Sequence, residues 1–159
     1  MPVPRLTPRE WILLLGLLLG VNAAGALPAV FVGAETTWFD RPPLYPPEFV
    51  FPVAWTALFS LMAIGLFLVL RAEAPPELVR RALAVFGGQF ALNLVWTPVF
   101  FGLRSPIGGL VVIVALWFAI LLTIRVFDRV SRPAAALLVP YLAWVSFAAF
   151  LNAAIVLGG

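Results

Sequence analysis

Cysteine, histidine and lysine are all absent from the 159 residues, and only seven acids occur. Without thiols there is no disulfide, iron-sulfur cluster or thiolate nucleophile, and without imidazole there is no histidine base or histidine ligand for haem or zinc. The acids (Glu10, Glu35, Asp40, Glu48, Glu73, Glu77 and Asp128) stand at segment ends or in loops, which leaves no paired carboxylates or proton relay at membrane depth. The usual tools of catalysis are missing, and no cofactor and no metal site is expected.

What is there is apolar: 64% of residues are hydrophobic and 11% charged, far from the composition of a soluble domain. The charge-free stretches run Trp11 to Ala34, Phe49 to Leu70, Ala82 to Leu103, Ser105 to Ile124 and Pro133 to Gly159, which is 24, 22, 22, 20 and 27 residues. A helix needs roughly 20 such residues to cross a bilayer core. The expected fold is therefore an all-α integral membrane protein, a single five-helix domain over 1–159 with helices at about 9–33, 48–71, 79–103, 105–128 and 133–157. Every basic residue is arginine. Five crossings put Arg5, Arg9, Arg71, Arg80, Arg81, Arg125, Arg129 and Arg132 on one side and only Arg41 and Arg104 on the other. This asymmetry predicts a cytoplasmic N-terminus and an external C-terminus in a bacterial cell membrane. The net charge of +3 is then a topology signal, and no nucleic acid partner is expected.

The N-terminal segment has a second reading. Arg5 and Arg9, the run Trp11 to Val21 and then Ala24-Gly25-Ala26 imitate a cleavable signal peptide. Against this, the apolar run continues through Leu27 to Val32, and Asn22 with Pro28 suits a helix packed among others. The loops are short connectors except the first, residues 35–48, ETTWFDRPPLYPPE, whose four prolines stiffen it and whose three aromatics make it too apolar for a solvated tether. It reads either as a connector anchored at the lipid interface or as a lid over a pocket between helices. Each span has a proline in or near it (Pro28, Pro52, Pro98, Pro106, Pro140), so kinked helices that leave interior space are expected.

Polar residues at membrane depth fall on helical faces. Gln89, Asn93, Trp96 and Phe100 share one face of the third span, and Tyr141, Trp144, Ala148 and Asn152 one face of the fifth with Phe147 beside them. Asn22 would add an amide and Trp55 an indole. Amides in hydrocarbon must be paired, so these faces point inward, either as interhelical hydrogen-bond glue or as the polar contacts of a site for a flat apolar ligand. On the third span Ala84 with Gly88 and Gly87 with Ala91 form small pairs four apart, a spacing that predicts homodimerisation.

Three stretches, Trp38 followed by RPPLYPPEFVFPVAWTALF, GQFALNLVWTPVFFG from Gly88 to Gly102, and PYLAWVSFAAFLN from Pro140 to Asn152, together resemble the translocator protein family, also called tryptophan-rich sensory proteins or peripheral benzodiazepine receptors. The resemblance spans nearly the whole chain in order. It implies a five-helix bundle, commonly a homodimer, that binds porphyrins and similar flat hydrophobic molecules beneath the first loop. The implied pocket residues are Trp38, Tyr45, Pro46 and Pro47 from the loop, Trp55 from the second span, Asn93 and Trp96 from the third, and Trp144, Phe147 and Ala148 from the fifth. A membrane receptor or carrier for porphyrins is one implied function. A light-dependent porphyrin-degrading enzyme using Trp55 and Trp144 is the alternative, and a structural subunit that binds no small molecule is a third class. Tyr45 and Phe59 depart from the Trp and Tyr that relatives usually carry there. The C-terminus LNAAIVLGG lacks the Tyr and basic residue of a sterol-recognition pattern, so weak sterol binding is expected.

The arginine asymmetry predicts that a C-terminal fusion reporter active only outside the cytoplasm is active; activity confined to a cytoplasmic reporter contradicts the orientation.

Overall fold

The computed structural model describes residues 4–158. Its first helix, α1 (Pro8–Val32), starts where local chemistry dictates. The Thr7 hydroxyl accepts a hydrogen bond from the Glu10 backbone N–H at 3.3 Å, while the Glu10 carboxylate accepts from the Thr7 N–H at 2.7 Å, a reciprocal cap with Pro8 in the first turn. The helix ends at Gly33, whose φ of 81° lies in the left-handed region that glycine enters without a steric penalty. After the first loop come α2 (Val50–Arg71) and α3 (Pro76–Thr97). Pro98 has no N–H to continue the α pattern, and α3 widens into a π turn over Pro98–Gly102, in which the Leu103 N–H reaches back to the Pro98 carbonyl at 2.9 Å.

α4 (Pro106–Val130) is capped by Ser105, whose hydroxyl accepts from the Gly108 N–H at 3.0 Å. The fifth span is broken into α5 (Arg132–Leu137) and α6 (Val139–Gly158) beside Pro140. The connection between α4 and α5 shrinks to Ser131, because α4 runs on to Val130 and the Ser131 hydroxyl caps the next helix through the Ala134 N–H. Likewise α3 starts at Pro76, about three residues before the start expected from the charge spacing. Five helical stretches, with α3 and its π turn as one and α5 with α6 as another, are long and apolar enough to cross a membrane, and no strand occurs among the described residues.

The bundle closes as a ring: α1 packs on α2, α2 on α5, α4 on both α5 and α6, α3 on α4, and α1 completes the circuit on α3. Its core includes Met62, Ala63, Val69, Ile120, Phe127, Leu138 and Val145. Large apolar residues such as Ile12, Leu19, Phe31, Ile107, Val111 and Phe118 point outward, the arrangement expected where lipid is the surrounding solvent. α1 is the least embedded helix, with Val21 its one buried residue. At one end of the bundle Arg71 pairs with Glu10 at 2.9 Å and joins α2 to α1; at the other Arg104 approaches Glu35 at 3.6 Å, between the third and first loops.

Close backbone approach rests on small residues at a few places. A Cβ added at Gly109 of α4 would lie 2.8 Å from the Phe100 ring and 2.9 Å from Asn152 Oδ1. Gly109→Ala should therefore destabilise the protein by about 1–3 kcal/mol through overpacking. Thermal melts in detergent test this against Gly16→Ala, where a new Cβ meets nothing within 4 Å and no such loss is expected.

Candidate functional site

The first loop, the start of α2, the end of α3 with its π turn, and the N-terminal half of α6 meet in a seam of aromatic rings. On α3, spacing of four residues stacks Trp96 on Phe100, with ring centroids 4.8 Å apart and planes 16° from parallel. The loop residues Trp38 and Phe39 rest on the same Phe100 ring at 5.3 and 5.6 Å. From Phe39 the seam continues to Tyr45 at 5.9 Å, to Phe51 at 5.4 Å, to Trp144 at 6.0 Å and to Phe147 at 5.7 Å. Edge-to-face and tilted geometries dominate, as the quadrupoles of the rings favour. Phe100 is buried, whereas Trp38, Phe39, Tyr45, Phe51, Trp144 and Phe147 are half-buried and retain accessible face.

The shape of the bundle explains why rings gather here. α2 packs along α5, but it meets α6 chiefly through the pairs Phe51 with Trp144 and Trp55 with Tyr141, the latter at 6.3 Å. Long aromatic side chains therefore bridge the gap between these two helices. Trp55 also stacks on Phe59 at 5.4 Å.

Beneath the seam lies a polar chain between α3 and α6. Asn93 Nδ2 donates to the Tyr141 hydroxyl at 2.8 Å, and that hydroxyl donates to Gln89 Oε1 at 2.7 Å. Gln89 and Tyr141 are each 1% exposed and Asn93 is 8%, so this is a desolvated network. A second clamp uses Asn152: its Oδ1 accepts from Trp96 Nε1 at 3.2 Å, and its Nδ2 donates to the Pro106 carbonyl at 2.7 Å. It ties α3, α6 and the start of α4 together. Two buried donors, Gln89 Nε2 and Trp144 Nε1, have no partner among the described residues.

The residues expected from sequence are brought together in two groups. Trp38 and Trp96 share Phe100, and Tyr45, Trp144 and Phe147 are linked through Phe51, with Phe39 joining the groups. Trp55 and Asn93 both contact Tyr141. Ala148 is packed against the core one turn after Trp144, and Pro46 is half-buried in the loop. Pro47 is exposed, and its carbonyl accepts from the Val50 N–H at 3.0 Å, which starts α2. Asn22 lies elsewhere: its amide donates to Ser60 at 3.2 Å and to the Leu18 carbonyl at 2.9 Å, and so joins α1 to α2. The sequence pattern does not single out Phe39, Phe51 and Phe59 as bridging rings, although Phe51 stands one turn before Trp55 and Phe59 one turn after it, a spacing that marks one face of α2.

The first loop is fastened over this region. Arg41 pairs with Glu48 and also reaches Thr36, and the Arg41 guanidinium lies 5.5 Å from the Tyr45 ring centroid. Burial raises the Tyr45 phenol above its ordinary pKa, with Arg41 opposing the shift. A cleft of about 270 Å³ is lined by Thr37 to Asp40 of the loop with Pro106 and Ile155. A second, of about 230 Å³, lies at the opposite end among Glu77, Arg80 and Arg81.

These features define a five-span integral membrane protein whose interior, under an aromatic loop, combines half-buried rings with a buried amide and hydroxyl network. Comparison with known proteins gives the class its family. Residues 7–157 match the model of the TspO/MBR family. The chain is 44% identical over 144 residues to the tryptophan-rich protein TspO of Chlorobaculum tepidum, covering 88% of this chain and 89% of that protein. It is 39% identical over 132 residues to protein CrtK of Rhodobacter capsulatus, covering 81% of each, and 33% identical over 147 residues to the translocator protein of Homo sapiens, covering 89% and 87%. The chain belongs to the TspO/MBR family.

Proposed function

We propose that this protein is a membrane receptor or carrier for porphyrins and similar flat hydrophobic molecules, held among α2, α3 and α6 beneath the first loop. The observation that carries the reading is the bridged gap between α2 and α6, where half-buried Phe51, Trp55 and Trp144 offer ring faces above a desolvated polar chain. A flat conjugated ring is matched by stacking, and few polar contacts suffice to orient it. The seam is closed by ring against ring, so a ligand enters by separating these rings, with Trp38 and Tyr45 of the loop moving as the lid. The words sensory and translocator in the names of relatives agree with a receptor or carrier.

The same reading assigns the protein to a bacterial cell membrane with the arginine-rich end in the cytoplasm, and pairs two copies through α3. Ala84, Gly87, Gly88 and Ala91 are exposed on the single chain, and a Cβ at Gly87 or Gly88 meets nothing within 4 Å, which leaves this face open to a second helix. Crosslinking of Ala84→Cys or Gly88→Cys in membranes should give a dimer band; no band at either position removes this interface.

For the ligand, absorbance and fluorescence titration of purified protein with protoporphyrin should give saturable binding. Trp144→Ala should weaken it roughly tenfold or more through loss of a stacking face and its burial. Trp117→Ala is the comparison, because Trp117 on α4 donates its indole N–H to Ser146 at 2.8 Å, outside the seam. An equal loss in both variants contradicts the site. Stable porphyrin absorbance under illumination supports the carrier reading, whereas light-dependent bleaching with a product of changed mass, lost in Trp55 and Trp144 variants, would replace it with the photochemical enzyme.

A further inference from the structure

The polar network below the seam is incomplete in a specific way. Gln89 is 1% exposed, and its carbonyl oxygen is engaged by the Tyr141 hydroxyl while its Nε2 has no partner among the described residues. Rotating the amide does not remove the problem. A tyrosine hydroxyl has one proton to donate, so if Gln89 Nε2 donated to it, Gln89 Oε1 would be the group left unmatched. One turn beyond Tyr141 on α6, Trp144 Nε1 is a second buried unpartnered N–H, and an indole nitrogen can only donate. Trp144 contacts Phe51, and the Tyr141 ring whose hydroxyl holds Gln89 contacts Trp55, so Trp144 borders the gap between α2 and α6 and Gln89 stands one side chain behind it.

We propose that Gln89 and Trp144 form a recognition site for an uncharged carbonyl group on the ligand, an ester, amide or protonated acid, with their two N–H groups as the donors. This deepens the porphyrin-binding reading and rests on it. A buried donor without an acceptor is unfavourable, and a ligand that brings an acceptor relieves it, whereas a hydrocarbon of the same shape does not. The choice of an uncharged group follows from the charge map. Every arginine lies at a span end or in a loop, so no cation stands at this depth to neutralise an ionised carboxylate.

The test compares two porphyrins that share ring and alkyl chemistry and differ in carbonyl arms: mesoporphyrin dimethyl ester and etioporphyrin, each titrated into the full-length protein in detergent. Wild type should bind the ester at least about tenfold more tightly. Gln89→Met, which keeps side-chain length, should bring the ratio of the two affinities to within about twofold. Trp144→Phe, which keeps an aromatic ring but removes the N–H, should lower the ratio in the same direction, and it carries the test if Gln89→Met does not fold. Equal binding of both porphyrins by wild type overturns the assignment, as does an unchanged ratio in the folded variants, the result expected if ordered water satisfies these donors. Absence of binding of either porphyrin to wild type instead overturns the porphyrin-binding reading, and this assignment with it.

Discussion

In hydrocarbon a polar group has only the protein to bond with, and this constraint governs how the helices of this bundle meet. Gln89, Asn93 and Asn152 would each be unfavourable on a lipid-facing surface, so the faces that carry them turn inward and choose each other. The Tyr141 hydroxyl is the joint: it accepts from α3 through Asn93 and donates back to α3 through Gln89, which fixes both the rotation and the height of α6 against α3. Asn152 repeats the device nearer the first loop, where one amide holds the Trp96 indole and the Pro106 carbonyl and thereby sets three helices in register. Apolar packing alone fixes rotation poorly between helices bathed in equally apolar lipid.

The aromatic seam depends on that scaffold. With α3 and α6 joined by these hydrogen bonds and α2 packed on α1 and α5, α2 and α6 meet through the ring pairs Phe51 with Trp144 and Trp55 with Tyr141. The prolines contribute through backbone chemistry. Pro98 turns the last part of α3 into a wider helix, and Phe100 within that turn becomes the ring on which Trp38, Phe39, Trp96 and Phe101 converge. The first loop, stiffened by its own prolines and latched by Arg41 with Glu48 and Thr36, delivers Trp38 and Tyr45 onto the seam with little freedom left to lose.

Small residues do complementary work on different faces. Gly25 leaves room on α1 for the Phe59 ring of α2, and Gly109 lets α4 pass beneath Phe100 and Asn152; an added Cβ would collide at either position, so both serve the chain's own packing. At Gly87 and Gly88 an added Cβ would have no neighbour within 4 Å, so the same residue type on α3 serves no internal contact there. Sequence spacing alone does not tell a glycine that seats the chain's own helices from one that touches no neighbour within the chain.

Much of this was legible in the order of residues. Runs of 20 or more uncharged residues leave a chain no stable place but a bilayer, so five spans followed from charge spacing. Faces such as Gln89, Asn93, Trp96 and Phe100 followed from helical period, because an amide and its neighbours four residues away must share an environment. Which amide meets which partner did not follow. Asn22 and Asn93 look alike in sequence, yet one binds Ser60 on the adjacent helix and the other completes a network with Tyr141, 48 positions away. The break beside Pro140, the π turn at Pro98 and the ring contacts that join α2 to α6 also belong to the assembled bundle. Periodicity specifies what each helix must bury, whereas the neighbour that buries it is chosen by packing all the helices at once.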